Sequence, residues 1–145
     1  MNSLYKLKSL LIKKNIDAYL VPKNDCFFNE FIKTNNDRLR YASNFTGSAG
    51  TALILHKKNY LFVDGRYTLQ AKQESGRFFN IIDISKVNIL NFLKKNYTNI
   101  KIGYDPKLFK FKIIKNILKE KINLIPIENN LIDHIWTHKK KEVYK

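Results

Sequence analysis

Residues 45–67 read FTGSAGTALILHKKNYLFVDGRY, and this stretch decides the fold class. Two apolar runs, residues 51–55 and 60–63, are separated by four polar residues, a spacing that predicts a β-hairpin. The small-residue loop before the first run and the Asp64-Gly65 pair after the second run are typical of tight turns. A helix is predicted to follow the second turn, so the stretch predicts two antiparallel strands and then a helix.

Outward from this stretch, short apolar runs alternate with segments of helical spacing. Four more strands are predicted, at residues 18–21, 79–83, 101–104 and 124–127. Helices are predicted at residues 3–15, 38–43, 66–75, 87–95 (with Ser85 as the cap), 108–121 and 130–136. Alternating strands and helices predict a mainly parallel sheet covered on both faces. The hairpin makes this sheet mixed, so the fold class is α/β with a mixed sheet of about six strands.

The length of 145 residues suits one domain, for which we set the bounds 1–136. Residues 137–145 are predicted to be a basic tail or a linker towards a second domain. The hydrophobic content of 44% excludes intrinsic disorder. No apolar run has the length of a membrane span, and the N-terminus lacks the apolar core of a signal peptide. These features favour a cytoplasmic protein that does not associate with membranes.

The net charge of +15 raises the question of nucleic-acid binding. Lysine outnumbers arginine 23 to 4, whereas nucleic-acid surfaces favour the planar guanidinium group of arginine. Lys, Asn and Ile fill 58 positions, a composition that A+T-rich codons produce without any binding function. We therefore interpret the charge as a basic solvated surface and do not expect nucleic acid as a partner. The alternative function that stays open is a stand-alone basic module for nucleic acid or an acidic partner.

Nothing in the chain predicts a complete active site. Cys26 is the single cysteine, and the two phenylalanines after it predict a buried, inert thiol. His134 and His138 are four residues apart in a polar segment, which is typical of a solvated helix face. The loop around Ser48 lacks the first glycine of a nucleophile elbow, and a strand follows it instead of a helix. We predict no catalytic residue and no metal ligand in this chain.

Three segments in fixed order, together with the chain's end, resemble one known family. They read DCFFNEF at residues 25–31, RLRYASNFTGSAGTA at 38–52 and LFVDGRYTLQA at 61–71, and the last is NLIDHIW at 130–136. This order is similar to the N-terminal domain of Xaa-Pro aminopeptidases of the creatinase/prolidase superfamily. The chain departs from the family where Phe27 replaces a frequent histidine and Asn44 a usual glycine. A proline pair that often follows the closing tryptophan is also missing.

The resemblance implies a creatinase-type N-terminal domain with a ribonuclease H-like motif. In such enzymes the catalysis takes place in a separate C-terminal domain that holds two divalent ions, usually manganese. The resemblance therefore implies a non-catalytic first domain, with no cofactor of its own, in a parent enzyme that removes the residue before proline from peptides. Its partners would be the second and catalytic domains. It would narrow access to the active site and support a homodimer.

The resemblance also suggests roles for particular residues. Four charged residues are candidates for contacts with a neighbouring domain or the substrate channel: Glu30, Arg38, Asp64 and Arg66. We further expect that Arg66 pairs with Asp64 or with a neighbouring carboxylate. Four small residues are interpreted as structural parts of loops: Gly47, Ser48, Gly50 and Gly65.

Overall fold

The computed structural model describes residues 2–29 and 32–136. Six strands form one sheet: β1 (Ala18–Pro22), β2 (Thr51–Leu55), β3 (Asn59–Val63), β4 (Asn80–Asp83), β5 (Lys101–Tyr104) and β6 (Asn123–Pro126). Within these described residues, six α-helices accompany the strands: α1 (Asn2–Lys13), α2 (Arg38–Ser43), α3 (Thr68–Ser75), α4 (Ile89–Asn96), α5 (Phe111–Lys119) and α6 (Leu131–Ile135). Short 3-10 turns lie at Thr34–Asn36, Gly65–Tyr67 and Pro106–Leu108. The predicted tail at 137–145 lies outside the described residues.

The strand order is β4-β3-β2-β1-β5-β6, and the sheet is mixed as predicted. β2 pairs antiparallel with both β1 and β3. The other neighbours pair in parallel: β1 with β5, β3 with β4 and β5 with β6. Five of the six strands therefore end at the same edge of the sheet, which we call the carboxyl edge. β2 begins there.

Side chains alternate across each strand and build two separate cores. On one face, Tyr19 and Val21 of β1 pack with buried leucines of α1 and with residues of α2, α3 and α6. On the other face, Ala18 and Leu20 pack with Leu93 of α4 and Ile114 of α5. The predicted coverage of both faces is thus confirmed, and it is unequal: four helices cover the first face and two cover the second.

Two helices begin at other residues than those predicted, and the turns and caps at their starts account for the differences. The helix predicted at 108–121 is instead a 3-10 turn capped by Asp105, whose Oδ1 accepts from Lys107 N at 2.9 Å, followed by α5. Between them the chain is extended at Phe109, with φ −124° and ψ 138°. The cap of α4 is Asn88, which accepts from Asn91 N at 2.8 Å, and not Ser85. Ser85 donates to Asp83 instead.

Candidate interdomain surface

The 3-10 turn after β3 places a carboxylate and a guanidinium group at the carboxyl edge. Asp64 Oδ1 accepts from the backbone N of Arg66 at 2.9 Å and from Arg66 Nε at 3.3 Å, so the predicted pairing of these residues is present. The backbone hydrogen bond from Arg66, followed by the bond from its side chain, holds the pKa of Asp64 below its ordinary value despite some desolvation. The Arg66 side chain is 78% exposed and lies over the ring of Tyr67. The turn therefore presents a fixed charged pair to the solvent.

Gly65 allows this turn to lie close to the end of β4. A Cβ at Gly65 would stand 3.0 Å from Asp83 Oδ2. Asp64 directly follows β3 and Asp83 ends β4, so the two carboxylates lie at the ends of neighbouring parallel strands, at the same edge. The pKa of Asp83 is lowered mainly by hydrogen bonds from the side chain and backbone of Ser85, so both groups are ionised at neutral pH.

Packing against a buried ring and hydrogen bonds to α3 both fix the loop at residues 45–50. The ring of Phe45 is buried beneath Gly47, where a Cβ would stand 2.2 Å from the ring carbon Cζ. Thr46 donates its backbone N to Glu74 Oε1 at 2.9 Å and its hydroxyl to Glu74 Oε2 at 2.7 Å. Gln70 donates to the Thr46 hydroxyl at 3.0 Å. The loop is consequently fixed to α3 and is a rigid part of the surface.

Ser48 belongs to the same fixed loop. Its hydroxyl forms a 2.5 Å hydrogen bond with the hydroxyl of Tyr67, which links the loop to the turn that carries Arg66. A serine nucleophile requires a base such as histidine at this distance. The Ser48 hydroxyl therefore has the Tyr67 hydroxyl as its partner, and this bond ties the loop to the turn.

Arg38 has a partner within the domain. Its Nε and Nη2 atoms donate to the two carboxylate oxygens of Asp133 in α6, at 2.8 and 2.9 Å. Burial alone lowers the pKa of Arg38, but the hydrogen bonds and charge of Asp133 raise it above its ordinary value. The side chain is 11% exposed, so Arg38 attaches the last helix to the second. Glu30 lies outside the described residues.

The turn after β1 corrects one prediction. Asp25 is buried and accepts from the backbone N of Phe27 and of Asn29, both at 3.0 Å. These bonds turn the chain outward, so Cys26 is exposed and the prediction of a buried thiol is wrong. Phe27 is 76% exposed, which shows that an aromatic pair in an Asp-capped turn is a poor indicator of burial.

An apolar groove at the carboxyl edge was not predicted from the sequence. It has a volume of about 370 Å³ and opens between α4 and α5. Its lining is mostly aliphatic and aromatic and includes Leu20, Pro22, Ile84, Leu90, Phe109 and Ile113. A smaller cavity of about 200 Å³ shares Thr51, Ile84 and Ile89 with it and extends to Asp64 and Arg66. We call the larger cavity the α4–α5 groove.

Two classes of site are missing from the described part of the chain. No group of three or more His, Cys, Asp or Glu side chains there is placed to hold a metal ion. No helix among the described residues is long and apolar enough to cross a membrane. His134 is exposed, and His138 lies outside the described residues.

Comparison with known proteins gives consistent matches. A family model described as the creatinase/prolidase N-terminal domain matches residues 4–135. A probable Xaa-Pro aminopeptidase P of Coprinopsis cinerea is 33% identical over 138 residues, which are 90% of this chain and 22% of that protein. The Xaa-Pro aminopeptidase ApepP of Drosophila melanogaster is 35% identical over 147 residues, covering 92% of this chain and 24% of that protein. The chain thus spans less than a quarter of the length of these curated relatives.

A solved structure shows the same fold. The X-prolyl aminopeptidase from Caenorhabditis elegans is described as a cytosolic enzyme with a di-nuclear active site. It matches 97% of this chain and 26% of its own chain with a TM-score of 0.88, at 23% sequence identity. The residues described here do not fit a di-nuclear metal centre, since they form no cluster of metal-binding side chains.

Proposed function

The chain belongs to the creatinase/prolidase N-terminal domain family, and we propose that it acts as the non-catalytic first domain of a larger Xaa-Pro aminopeptidase. The identity of 33–35% to two proteins with this name over nine-tenths of the chain supports the proposal. The parent enzyme would remove the N-terminal residue before proline from peptides. Its two divalent ions, which we expect to be manganese, would be bound beyond residue 145. The C. elegans enzyme, described as cytosolic, supports a cytoplasmic location.

Within the parent, we propose that the carboxyl edge of this domain contacts the neighbouring domains, borders the approach to the active site and supports assembly into a dimer. The observation that carries this role is the fixed, exposed polar surface formed by the turn at Asp64 and the loop at 45–50. Hydrogen bonds to Glu74 and Tyr67 hold it in place before any partner arrives. A surface ordered in advance loses little conformational entropy on contact, which favours a contact role. Residues 137–145 would serve as the linker to the next domain.

The first experiment is the intact mass of the native polypeptide, followed by an assay of peptide cleavage. We expect a polypeptide several-fold heavier than 17.2 kDa. We expect the heavier protein to cleave Xaa-Pro peptides in the presence of Mn²⁺, and the 145-residue chain to cleave none. Metal-dependent cleavage by the pure 145-residue chain would overturn the non-catalytic assignment. A native mass of 17.2 kDa would overturn the first-domain assignment.

A pair of variants tests the role of the carboxyl edge in the parent. Arg66→Met removes the exposed guanidinium group beside Asp64 and should raise KM for peptides or weaken dimerisation. Arg77→Met is the matched control, since Arg77 also lies over a neighbouring aromatic ring, that of Phe78. Arg77 follows α3 and precedes the start of β4, and therefore lies at the opposite edge of the sheet. Equal effects of the two variants would contradict the proposed role of the carboxyl edge.

A further inference from the structure

Charge is distributed unequally between the two edges of the sheet. Five strands begin at the edge opposite the carboxyl edge, and β2 ends there; we call it the amino edge. The segments that meet at this edge carry ten lysine or arginine residues and two carboxylates, Asp17 and Glu120. These segments are residues 13–17, 56–58, 76–79, 94–101 and 119–123. Their excess of eight positive charges is more than half of the net charge of +15.

The carboxyl edge carries no such excess. The segments directly after the five strands that end there contain five basic and five acidic residues. They are residues 22–29, 64–67, 83–88, 105–110 and 126–130. The segment before β2, residues 44–50, contains no charged residue. A+T-rich codons would enrich lysine at both edges alike, so codon composition does not account for this difference.

Helix ends account for only part of the charge at the amino edge. Lysines near the C-terminus of a helix interact favourably with its dipole, and α1, α3, α4 and α5 all end at this edge. Lys57 and Lys58, however, lie in the turn between β2 and β3, and Lys101 begins β5. These three lysines therefore have no helix end to stabilise.

The lysines of the hairpin turn line a shallow cleft in the middle of the amino edge. The cleft has a volume of about 370 Å³, and its polar lining consists of Lys57, Lys58, His56, Asp17 and Tyr97. Lysines from two helix ends adjoin these residues in the chain. They are Lys13 and Lys14 of the α1 end, and Lys94 and Lys95 of the α4 end, all of them exposed.

Hydrogen bonds hold the frame of the cleft in place. His56 Nε2 donates to the carbonyl oxygen of Ile16 at 2.8 Å, which fixes the hairpin turn to the segment before β1. Asp17 Oδ2 accepts from the backbone N of Lys101 at 2.8 Å, which fixes the start of β1 to the start of β5. A surface that is ordered in advance loses little conformational entropy when a partner binds.

The two hairpin lysines have no carboxylate partner among the described residues. Both side chains are exposed, and no described carboxylate lies within ion-pair distance of either. By contrast, Lys94 at the end of α4 pairs with Glu120 at 3.2 Å. Asp17 is the carboxylate that lines the cleft, and the lysines around it outnumber it. Like charges that lie close together repel one another, so an anionic partner would relieve this repulsion.

The side chains of the cleft suit carboxylates better than nucleic acid. Single-stranded nucleic acid is bound by positive charge together with aromatic rings on which the bases stack. The ring of Tyr97 lies against Phe92, with 5.9 Å between centroids, and its hydroxyl is bonded to Tyr60 at 3.0 Å. The cleft is lined by lysine and not by arginine, whose planar group favours phosphates and bases. A second copy of the chain would bring like charges together.

We propose that the amino edge, centred on the cleft at Lys57 and Lys58, binds an acidic polypeptide segment of a separate protein. The inference does not depend on the proposed function. Contacts with neighbouring domains are assigned to the carboxyl edge, which lies about 15 Å away along strands of four or five residues. The same protein could therefore use both edges at once.

Fluorescence anisotropy with a labelled acidic peptide tests the surface. The probe is a peptide of about 20 residues in which Glu and Ser alternate, and the native polypeptide is used at full length in about 0.15 M salt. We expect the probe to bind and a peptide of alternating Gln and Ser not to bind. Replacing both hairpin lysines, Lys57→Gln with Lys58→Gln, should weaken binding about fivefold.

The matched control removes the same charge at the other edge. Lys110→Gln with Lys112→Gln changes two exposed lysines at the start of α5, and binding should weaken less than about twofold. Circular dichroism checks the fold of both double variants. If the hairpin variant does not fold, Lys13→Gln with Lys14→Gln at the end of α1 replaces it, with the same expected loss.

Three results would overturn the proposal. Equal weakening in the hairpin variant and the control would mean that overall charge binds the probe. Absence of binding at this salt concentration would mean that the amino edge is only a solvated surface. If a labelled oligo-dT strand of the same length binds more tightly than the peptide and the hairpin variant weakens it, the partner is nucleic acid.

Discussion

Arg38 and Asp133 form a two-fold hydrogen-bonded ion pair between residues that are 95 positions apart. The pair joins the start of α2 to the middle of α6, and the Arg38 side chain is largely buried by the contact. Next to it, Asn130 donates to Asp105 at 2.9 Å and the backbone N of Leu131 donates to the Tyr19 hydroxyl at 3.2 Å. Polar contacts thus fix the position from which the chain continues beyond Trp136.

We expect Arg38→Met to lower the free energy of unfolding by about 2 kcal/mol, because it removes both hydrogen bonds that the buried guanidinium group donates to the Asp133 carboxylate. Urea denaturation measures the loss. The fluorescence of Trp136, the single tryptophan, should also become easier to quench with acrylamide. Arg66→Met is the control, since the Arg66–Asp64 pair is exposed and its loss should not change the midpoint measurably. Equal losses in the two variants would contradict the role given to Arg38.

Gly47→Ala should destabilise the chain by about 2 kcal/mol, because the new Cβ would overlap the buried ring of Phe45. The matched control is Gly65→Ala, whose Cβ would approach only the end of the Asp83 side chain. Thermal unfolding of the two variants separates the effects. If both variants melt at the same temperature, Phe45 moves aside easily and the 45–50 loop is less rigid than the structure indicates.

Glu74 should make the stability of the chain depend on pH in acid. Partial burial raises the pKa of Glu74, but hydrogen bonds from Thr46 and Gln70 outweigh this and leave it below the ordinary 4.5. A carboxyl group with a lowered folded pKa stabilises the fold above its ordinary pKa, and the contribution disappears as the pH falls through the folded value. Glu74→Gln should therefore cost about 1 kcal/mol at pH 7 and progressively less towards pH 3. A cost that is constant over this range in urea titrations would contradict the prediction.

Tyr97 should make the chain sensitive to high pH. Burial, followed by the 3.0 Å hydrogen bond with Tyr60, raises the pKa of Tyr97 to about 12. The folded state keeps this proton while the unfolded state releases it near pH 10, so stability falls as the pH rises above 10. Absorbance at about 295 nm measures tyrosine ionisation. Tyr97→Phe should remove one tyrosine that ionises near pH 12 from the titration. If the variant instead loses a tyrosine that ionises near pH 10, Tyr97 is exposed to solvent and the prediction is wrong.

Cys26 should react with a thiol reagent in the native state, because the turn built on Asp25 exposes it. One equivalent of dithionitrobenzoate should be consumed without denaturant. If Cys26 reacts only after the protein is unfolded, the thiol is buried, as the two phenylalanines after it had indicated, and this prediction is wrong.

The elements that could be predicted are those determined by local patterns. The hairpin of β2 and β3 follows from two apolar runs four residues apart. The helix predicted at 3–15 is present as α1, which ends at Lys13, two residues before the predicted end and before the left-handed backbone of Asn15, with φ 56°. The start of α5 could not be predicted, because the apolar spacing runs from Leu108 through Phe111, which is 79% exposed. The Asp105-Pro106 pair opens only a 3-10 turn, and the extended backbone of Phe109 separates this turn from α5.

Contacts between side chains of the candidate surface could be predicted only where the two residues are close together in the sequence. Asp64 and Arg66 are two residues apart, and their pairing was one of the two alternatives predicted for Arg66. The partner of Arg38 lies in a distant helix, and a single sequence contains no signal that joins the two. The α4–α5 groove depends on how far apart two helices lie on the sheet, a distance that apolar periodicity does not determine.

The central position of β1 has a consequence for synthesis on the ribosome. β1 leaves the ribosome first among the strands and can pair with β2 once residue 55 has emerged. The other side of β1 stays unpaired until β5, at residues 101–104, has emerged. The Tyr19 hydroxyl accepts its hydrogen bond only from Leu131, 112 positions later in the chain. An unpaired strand edge is a template for pairing with other chains. The nascent chain is therefore most open to aggregation while residues 56–100 are emerging from the ribosome, and a chaperone would be needed most during this interval.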